Sequence, residues 1–295
     1  MQAYPRWMKK PFSYDGVAGR VRALADGLRL TTVCESAVCP NLRECYSQRQ
    51  LTFMILGDTC TRSCSFCAVD SGKPKTVEAD EPWRVAEAVN RLGLRHVVIT
   101  SVARDDLRDE GAGHFVDVIR VVRERNPGIT VEVLVPDFHG REPLIERVVV
   151  DGHPEVFAHN IETIERLSPL LRPQADYRRS LAVLQMAASC ASASLIKSSI
   201  MVGLGESVSE VESAFADLRA AGATHLTIGQ YLRPSADHLP IMEYISPELF
   251  NDYAQRARSS GFKWVKSGVF VRSSYHAGEA LDVLGSSTDA ITINS

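Results

Sequence analysis

Six of the seven cysteines in this chain lie between positions 34 and 67, in two sets of three. "CESAVCPNLREC" carries Cys34, Cys39 and Cys45 as C-x4-C-x5-C, and "CTRSCSFC" follows with Cys60, Cys64 and Cys67 as C-x3-C-x2-C. The opening "MQAYPRWMKKPFSYDG" holds no apolar signal-peptide core, so the clustering points to metal or catalysis and away from disulfides. Structural zinc wants four closed ligands, and a redox dithiol wants two. Soft thiolates in threes suit an iron–sulfur cube, whose fourth iron then stays open to something other than cysteine. Zinc or buried structural thiols are the competing readings, stronger for the rarer first set, which gains from its neighbour. Cys190, in the apolar helical stretch "LAVLQMAASCASA", reads as a small buried hydrophobe. The fourth position of the first set must therefore be filled by another residue type or by substrate.

Composition sets wider bounds. The 295 residues are 45% hydrophobic and 23% charged, as in an ordinary globular chain with room for a large core. A net charge of −3 gives no basic field for nucleic acid, and no apolar run is long enough to cross a bilayer. A cytoplasmic protein that binds neither nucleic acid nor membrane is expected.

From position 51 onward β-branched runs alternate with helical periodicity. The strand candidates are 51–56, 95–100, 129–135, 156–161, 195–203 and 225–232, and segments such as "EPWRVAEAVNRLG" and "SVSEVESAFADLRAAG" separate them. Six βα units imply a parallel sheet, either doubly wound or a partial TIM-like barrel. Polar stretches follow every strand ("GDTCTRSC", "SVARDDLRDEGAG", "PDFHG", "NIE", "GLGE", "RPSADH"), and that favours a partial (β/α)6 barrel with one shared mouth. The expected organisation is an N-terminal cluster-binding extension over 1–50, a barrel over 51–246, and a short C-terminal extension over 247–295.

A C-x3-C-x2-C set after the first strand of such a barrel resembles the radical S-adenosylmethionine superfamily. The resemblance implies a [4Fe-4S] cluster on Cys60, Cys64 and Cys67 whose open iron binds S-adenosylmethionine. It also places Phe66 beside the adenine; a core aromatic packed on the cluster loop is the plainer reading. The second triad and "VRSSYHA" (271–277) together resemble one family closely, the lipoyl synthases, as do "VCPNLREC", "TSVARDDLRDEGAGHF", "HNIE", "LRPQADY", "MVGLGE" and "TIGQYLRPS". That resemblance implies a second [4Fe-4S] cluster on Cys34, Cys39, Cys45 and Ser274, with Ser273 the alternative serine. It further implies sulfur insertion at C6 and C8 of a protein-bound octanoyl-lysine, with this auxiliary cluster as sulfur donor. The implied partners are lipoyl domains of 2-oxoacid dehydrogenases or the glycine-cleavage H protein, with flavodoxin or ferredoxin as electron donor. A hard serine oxygen on cluster iron suits a centre meant to come apart. A sulfur-inserting radical enzyme acting on a small molecule, and a non-catalytic iron–sulfur electron carrier, are the alternatives.

Other residues carry two readings each. Asn160 and Glu162 in "HNIE" suit ribose hydroxyls or a polar helix cap. Gly203, Gly205 and Glu206 in "GLGE" resemble the superfamily's adenine-side stretch, although glycines also simply end strands. Arg104, Asp105 and Asp106 read as a solvated turn or a mouth network. Lys197 and Arg233 read as reaching the mouth, with Lys197 alternatively at a solvent-facing strand end. His276 reads as a supporting or surface histidine.

Overall fold

A computed structural model describes residues 5–10, 16–190 and 194–281. The outer ends of both expected extensions, and Ala191 at the close of one expected helix, lie outside those residues. In chain order the elements begin with α1 (Gly16–Gly27), β1 (Thr31–Thr32), α2 (Val33–Ser36), α3 (Leu42–Ser47) and β2 (Thr52–Ile55). A small parallel pair follows, β3 (Thr59–Cys60) with β4 (Asp70–Ser71). The alternation continues with α4 (Glu81–Leu92), β5 (His96–Ser101), α5 (Ala112–Arg125), β6 (Thr130–Leu134), α6 (Glu142–Glu146), β7 (Val156–Ala158) and α7 (Ser168–Leu171). It ends with α8 (Tyr177–Cys190), β8 (Leu195–Val202), α9 (Val208–Ala220), β9 (His225–Gln230), α10 (Pro247–Ser259) and β10 (Trp264–Gly268).

All six expected strands form, joined in parallel in the order β2-β5-β6-β7-β8-β9. Helices from the βα units cover their outer face, which explains strands such as β2 and β9 that are buried at every position. Two strands extend this array. β1 pairs antiparallel on β2, and β10 pairs parallel with β9 through five consecutive residues, so residues 264–268 of the expected C-terminal extension belong to the main sheet. Among the described residues β10 does not pair back onto β1, and the barrel stays open. The chain after β10 crosses that gap: Asn41 donates to the Phe270 carbonyl at 2.6 Å, and Gly278 lies against His96. No described helix is long and apolar enough to cross a membrane.

Local chemistry sets the ends of the elements. α9 starts with a capping box in which Ser207 accepts from the Glu210 amide and Glu210 returns the bond. α4 ends on Gly93 in the left-handed conformation at φ 64°. Residues 147–151 continue α6 as a wider π-turn, and "RVVVD" thus adds no strand although its valines suggest one.

The lower interior of the barrel is polar. Lys197 is 1% exposed and donates to Glu132 at 2.8 Å, with Trp264 stacked against the ammonium side at 5.7 Å. This corrects the two sequence readings of Lys197, since it reaches neither the mouth nor solvent. A strand lysine signals an edge unless its partner is known, and the partner sits two strands away. Burial pushes the Glu132 carboxyl up, with Lys197 opposing that shift. Lys197→Met should leave Glu132 uncompensated and cost about 3–5 kcal/mol in denaturant unfolding, while Lys197→Met with Glu132→Leu should recover most of it. Equal losses in the single and double variants would refute this pairing.

His96, His159 and His225 are also buried, and burial lowers each from 6.5 to about 4. Their folded values lie below the unfolded one, so the unfolded chain binds more protons between pH 6.5 and 4. Stability is therefore full above pH 6.5 and lost as pH falls from there toward 4, by at most on the order of 3 kcal/mol per histidine. Urea midpoints measured across that interval should fall steadily, and a flat profile would contradict it.

Candidate active site

Two joined hollows occupy the barrel and the gap beside it. The larger, about 460 Å³, opens at the carboxyl ends of the strands and is lined by Cys60, Cys64, Cys67 and Phe66. The smaller, about 300 Å³, is lined by Cys45 and by Thr52 and His96 at the amino ends of β2 and β5. Cys34, Cys39, Arg272 and Ser274 line both. Thus the two sequence triads face each other across shared walls.

The loop from Cys60 to Cys67 is fixed from several sides. The Cys60 sulfur accepts from the Arg62 and Ala103 amides at 3.4 and 3.3 Å, which fixes its position in the loop. The Ser65 amide donates to the Leu171 carbonyl at 2.8 Å, and the Ser63 amide to the Gln174 side chain at 2.7 Å. Arg62 is 7% exposed and makes a bidentate pair with Asp105 and a 2.7 Å ion pair with Asp137. Burial would raise the Asp137 carboxyl, but Arg62, with His159 and Arg179, outweighs it and holds the group at about 2.

Thr52 organises the other set. Its hydroxyl donates to Ser274 Oγ at 2.8 Å, and its backbone hydrogen-bonds Cys34. Glycine at 229 lets the Val271 carbonyl pack where a Cβ would stand 2.1 Å away, so the serine segment reaches the thiols. Val38 holds an unusual φ of 49° between Cys34 and Cys39, a strained state for a β-branched residue. Tyr275 donates to Glu44 at 2.9 Å, and Lys10 also pairs with Glu44, locking residues 10, 44 and 275 together. His276 sits at the edge of this lock, 2.9 Å from Glu279.

The thiols suit clusters better than single ions. Burial pushes Cys34, Cys45 and Cys64 up to about 12 and raises Cys67, so cationic iron is what would ionise them in place. Among the described residues, the one group of three or more ligand atoms mutually within 4.8 Å is Asp105, Glu110 and His139, so neither thiol set is drawn in as zinc at about 2.3 Å per sulfur would demand. Arg62 and Arg141 already neutralise that acidic group.

Other sequence candidates fall in different places. Phe66, Asn160 and Glu162 line the larger hollow. Asn160 donates to Glu162 at 2.9 Å and keeps its buried side-chain Oδ1 without a partner. Glu162 takes φ 64°, and burial raises its carboxyl against Arg172 and Asn160. Gly203, Gly205 and Glu206 do not line either hollow. The Glu206 carboxylate folds back onto the Gly203 and Leu204 amides, and Gly203 packs against Gln230, so this loop closes on itself. Arg104 is 2% exposed and ties Asp106 to the Leu56 carbonyl at the end of β2, a clamp more than a solvated turn. Arg233 lines the larger hollow but spends its guanidinium on the His238 and Ala236 carbonyls. Cys190 is half-buried at a helix end, less enclosed than expected.

Sequence reasoning missed Thr52, Arg62, Arg172, Asp137 and His159. Arg172 donates to the Asn160 backbone carbonyl and Ser180, and His159, a wall residue of the larger hollow, bonds the Val135 carbonyl through Nδ1 and keeps a buried Nε2 without a partner. "LRPQ" and "PDF" were signals for Arg172 and Asp137, since each stands just past a buried element.

The Radical SAM superfamily matches residues 54–218. Solved structures of that kind share the fold. Methylornithine synthase is 14% identical with a TM-score of 0.53 over 92% of this chain and 94% of that one. Streptococcus suis SuiB bound to S-adenosylmethionine is 11% identical with a TM-score of 0.55 over 77% of this chain and 54% of that one. Fold, cysteine loop and match define a radical SAM enzyme. The lipoyl synthase of Chlorobium limicola is 50% identical over 94% of this chain and 95% of its own length, and that of Thermus thermophilus 50% identical over 92% and 85%. The chain belongs to the lipoyl synthase family.

The Thr52–Ser274 bond is measurable without any cluster. Thr52→Val should cost about 1–2 kcal/mol in denaturant unfolding, Thr52→Ser much less, and the cycle with Ser274→Ala should give a coupling near 1 kcal/mol. A coupling of zero would show that the hydroxyls do not share a bond.

Proposed function

We propose that the chain inserts two sulfur atoms, at C6 and C8, into a protein-bound octanoyl-lysine, using one [4Fe-4S] cluster for each thiol set. The observation that carries this reading is that six thiols and Ser274 surround two hollows with common walls. Bound S-adenosylmethionine and the two clusters would supply a carbon radical that removes hydrogen from an unactivated C–H bond, and the sulfur that replaces it. The protein's share is placement. Cys60, Cys64 and Cys67 hold the first cluster, on a loop that Arg62 pins to Asp105 and Asp137. Asn160 and Glu162 offer polar groups to a cofactor in the larger hollow, and Phe66 offers a ring face for its adenine.

Cys34, Cys39, Cys45 and Ser274 hold the second cluster. Ser274 is favoured over Ser273 because it alone shares a hollow with all three thiols, whereas Ser273 lines only the larger one. Its hard oxygen binds iron less firmly than a thiolate would, and Thr52 stands ready to hydrogen-bond it when it lets go. The octanoylated substrates are lipoyl domains of 2-oxoacid dehydrogenases or the glycine-cleavage H protein, with flavodoxin or ferredoxin as reductant, all in the cytoplasm. Residues 1–50 and 247–295 serve as the segments that build the second site onto the barrel.

Anaerobic loading with iron and sulfide should give about eight irons per chain, and about four in Cys34→Ala. Cys34→Ala should still form 5′-deoxyadenosine from S-adenosylmethionine while yielding no lipoyl product on an octanoyl-lysine peptide. Ser274→Cys should keep its iron and lose product. About four irons in the unaltered chain would refute two clusters, and full turnover by Ser274→Cys would remove the role given to the serine.

A further inference from the structure

The smaller hollow shares Cys34, Cys39, Arg272 and Ser274 with the larger one. It enters from the amino ends of β2 and β5, the side opposite the barrel mouth. Its outer walls are the turn after α3, the turn after α4, and the segment at Ala277 and Gly278. Gln48, Arg49, Gln50 and Arg95 at its rim are exposed. The side chains of Arg49 and Arg95 have no hydrogen-bond or ion-pair partner among the described residues, and Arg272 stands at the inner end. Among the described residues no aspartate or glutamate lines it. Cys45 opens only into this hollow, and Cys60, Cys64 and Cys67 only into the larger one.

A centre that gives up sulfur to substrate on one side must be refilled before the next round. Through the mouth, replacement sulfur would have to wait until cofactor and substrate had left. We propose that the smaller hollow is the entrance by which anionic inorganic sulfur, hydrosulfide at neutral pH, reaches the thiol set of Cys34, Cys39 and Cys45. Arg49, Arg95 and Arg272 along a passage with no described carboxylate on its wall give a positive field that raises the local concentration of a small anion, and Lys10 offsets the Glu44 charge beside Cys45. A neutral solute of the same size gains little from it. The proposal rests on the two-cluster reading above.

Its test uses the full-length chain stripped of metal, with iodoacetate as anionic probe and iodoacetamide as neutral one, and alkylation followed at each cysteine by mass spectrometry. In the unaltered chain Cys45 should prefer iodoacetate relative to Cys60, Cys64 and Cys67. Arg49→Glu with Arg95→Glu should slow iodoacetate at Cys45 about tenfold, change iodoacetamide there little, and leave the other three unchanged. Leu94→Trp, which narrows the passage, should slow both reagents at Cys45 alone. With sodium sulfide and ferrous iron, these variants should load the first four irons at the normal rate and the second four several-fold more slowly. Unchanged Cys45 rates, or equal slowing at all four cysteines, would overturn the proposal. The iron count of the unaltered chain separately decides the two-cluster reading, because alkylation reports the passage whether four or eight irons bind.

Discussion

Burial opposes ionisation of Cys34, Cys45, Cys64 and Cys67 unless positive charge comes with them, and much of this structure answers that constraint. Burial raises Cys34, Cys45 and Cys64 so far that protonated sulfur is their resting form without iron. The fixed donors near the thiols are modest: two amides on Cys60, the Val69 backbone on Cys67 and the Thr52 backbone on Cys34. Full-charge side chains nearby, Arg62, Arg172 and Arg272, stand one layer back and are themselves engaged by carboxylates or carbonyls. Such a site is built to be completed by metal, and metal binding and thiol deprotonation then proceed together.

The second-layer charges explain why the loops keep their shape. Arg62 joins the cysteine loop to Asp105 after β5 and Asp137 after β6, and Arg179 on α8 reaches the same Asp137. One buried guanidinium, that of Arg62, thus ties three consecutive βα connections together. Pairs of this kind add little net stability, because desolvation offsets attraction, but breaking one leaves an uncompensated charge. Their value here lies in geometry, since the loop they hold has no regular structure of its own beyond two-residue strands.

The strands were legible because buried parallel strands carry apolar runs bounded by helical periodicity, clearest in "HVVITS" of β5 and "TVEVL" of β6. β10 escaped notice because "WVKSG" carries lysine, serine and glycine, and its neighbour in space is settled only by the open edge of β9. Cysteine spacing exposed the ligands directly, since ligand chemistry depends on residue type. Thr52 was illegible for the opposite reason: threonine is ordinary in a strand, and its importance comes from a partner 222 positions away. The "GLGE" loop misled because its glycines serve local packing against Gln230 while Glu206 satisfies its own backbone. Lys197 misled because a charge in a strand says nothing of a buried Glu132 two strands over.

The open edge of the barrel gives these points a common cause. Were β10 to pair with β1, the sheet would close and the gap between them would hold no chain. Left open, the gap admits the "VRSSYHA" segment on one side and the α2–α3 cysteines on the other, and both meet at the amino end of β2 through Thr52. A site formed there touches the barrel interior on one face and the outside of the sheet on the other. The thiol set at the mouth, enclosed by the loops after the strands, has a single hollow to serve it. The set in the gap has two. An open barrel can therefore carry a centre that faces substrate from one side and supply from the other, which a closed barrel of the same strands would not permit.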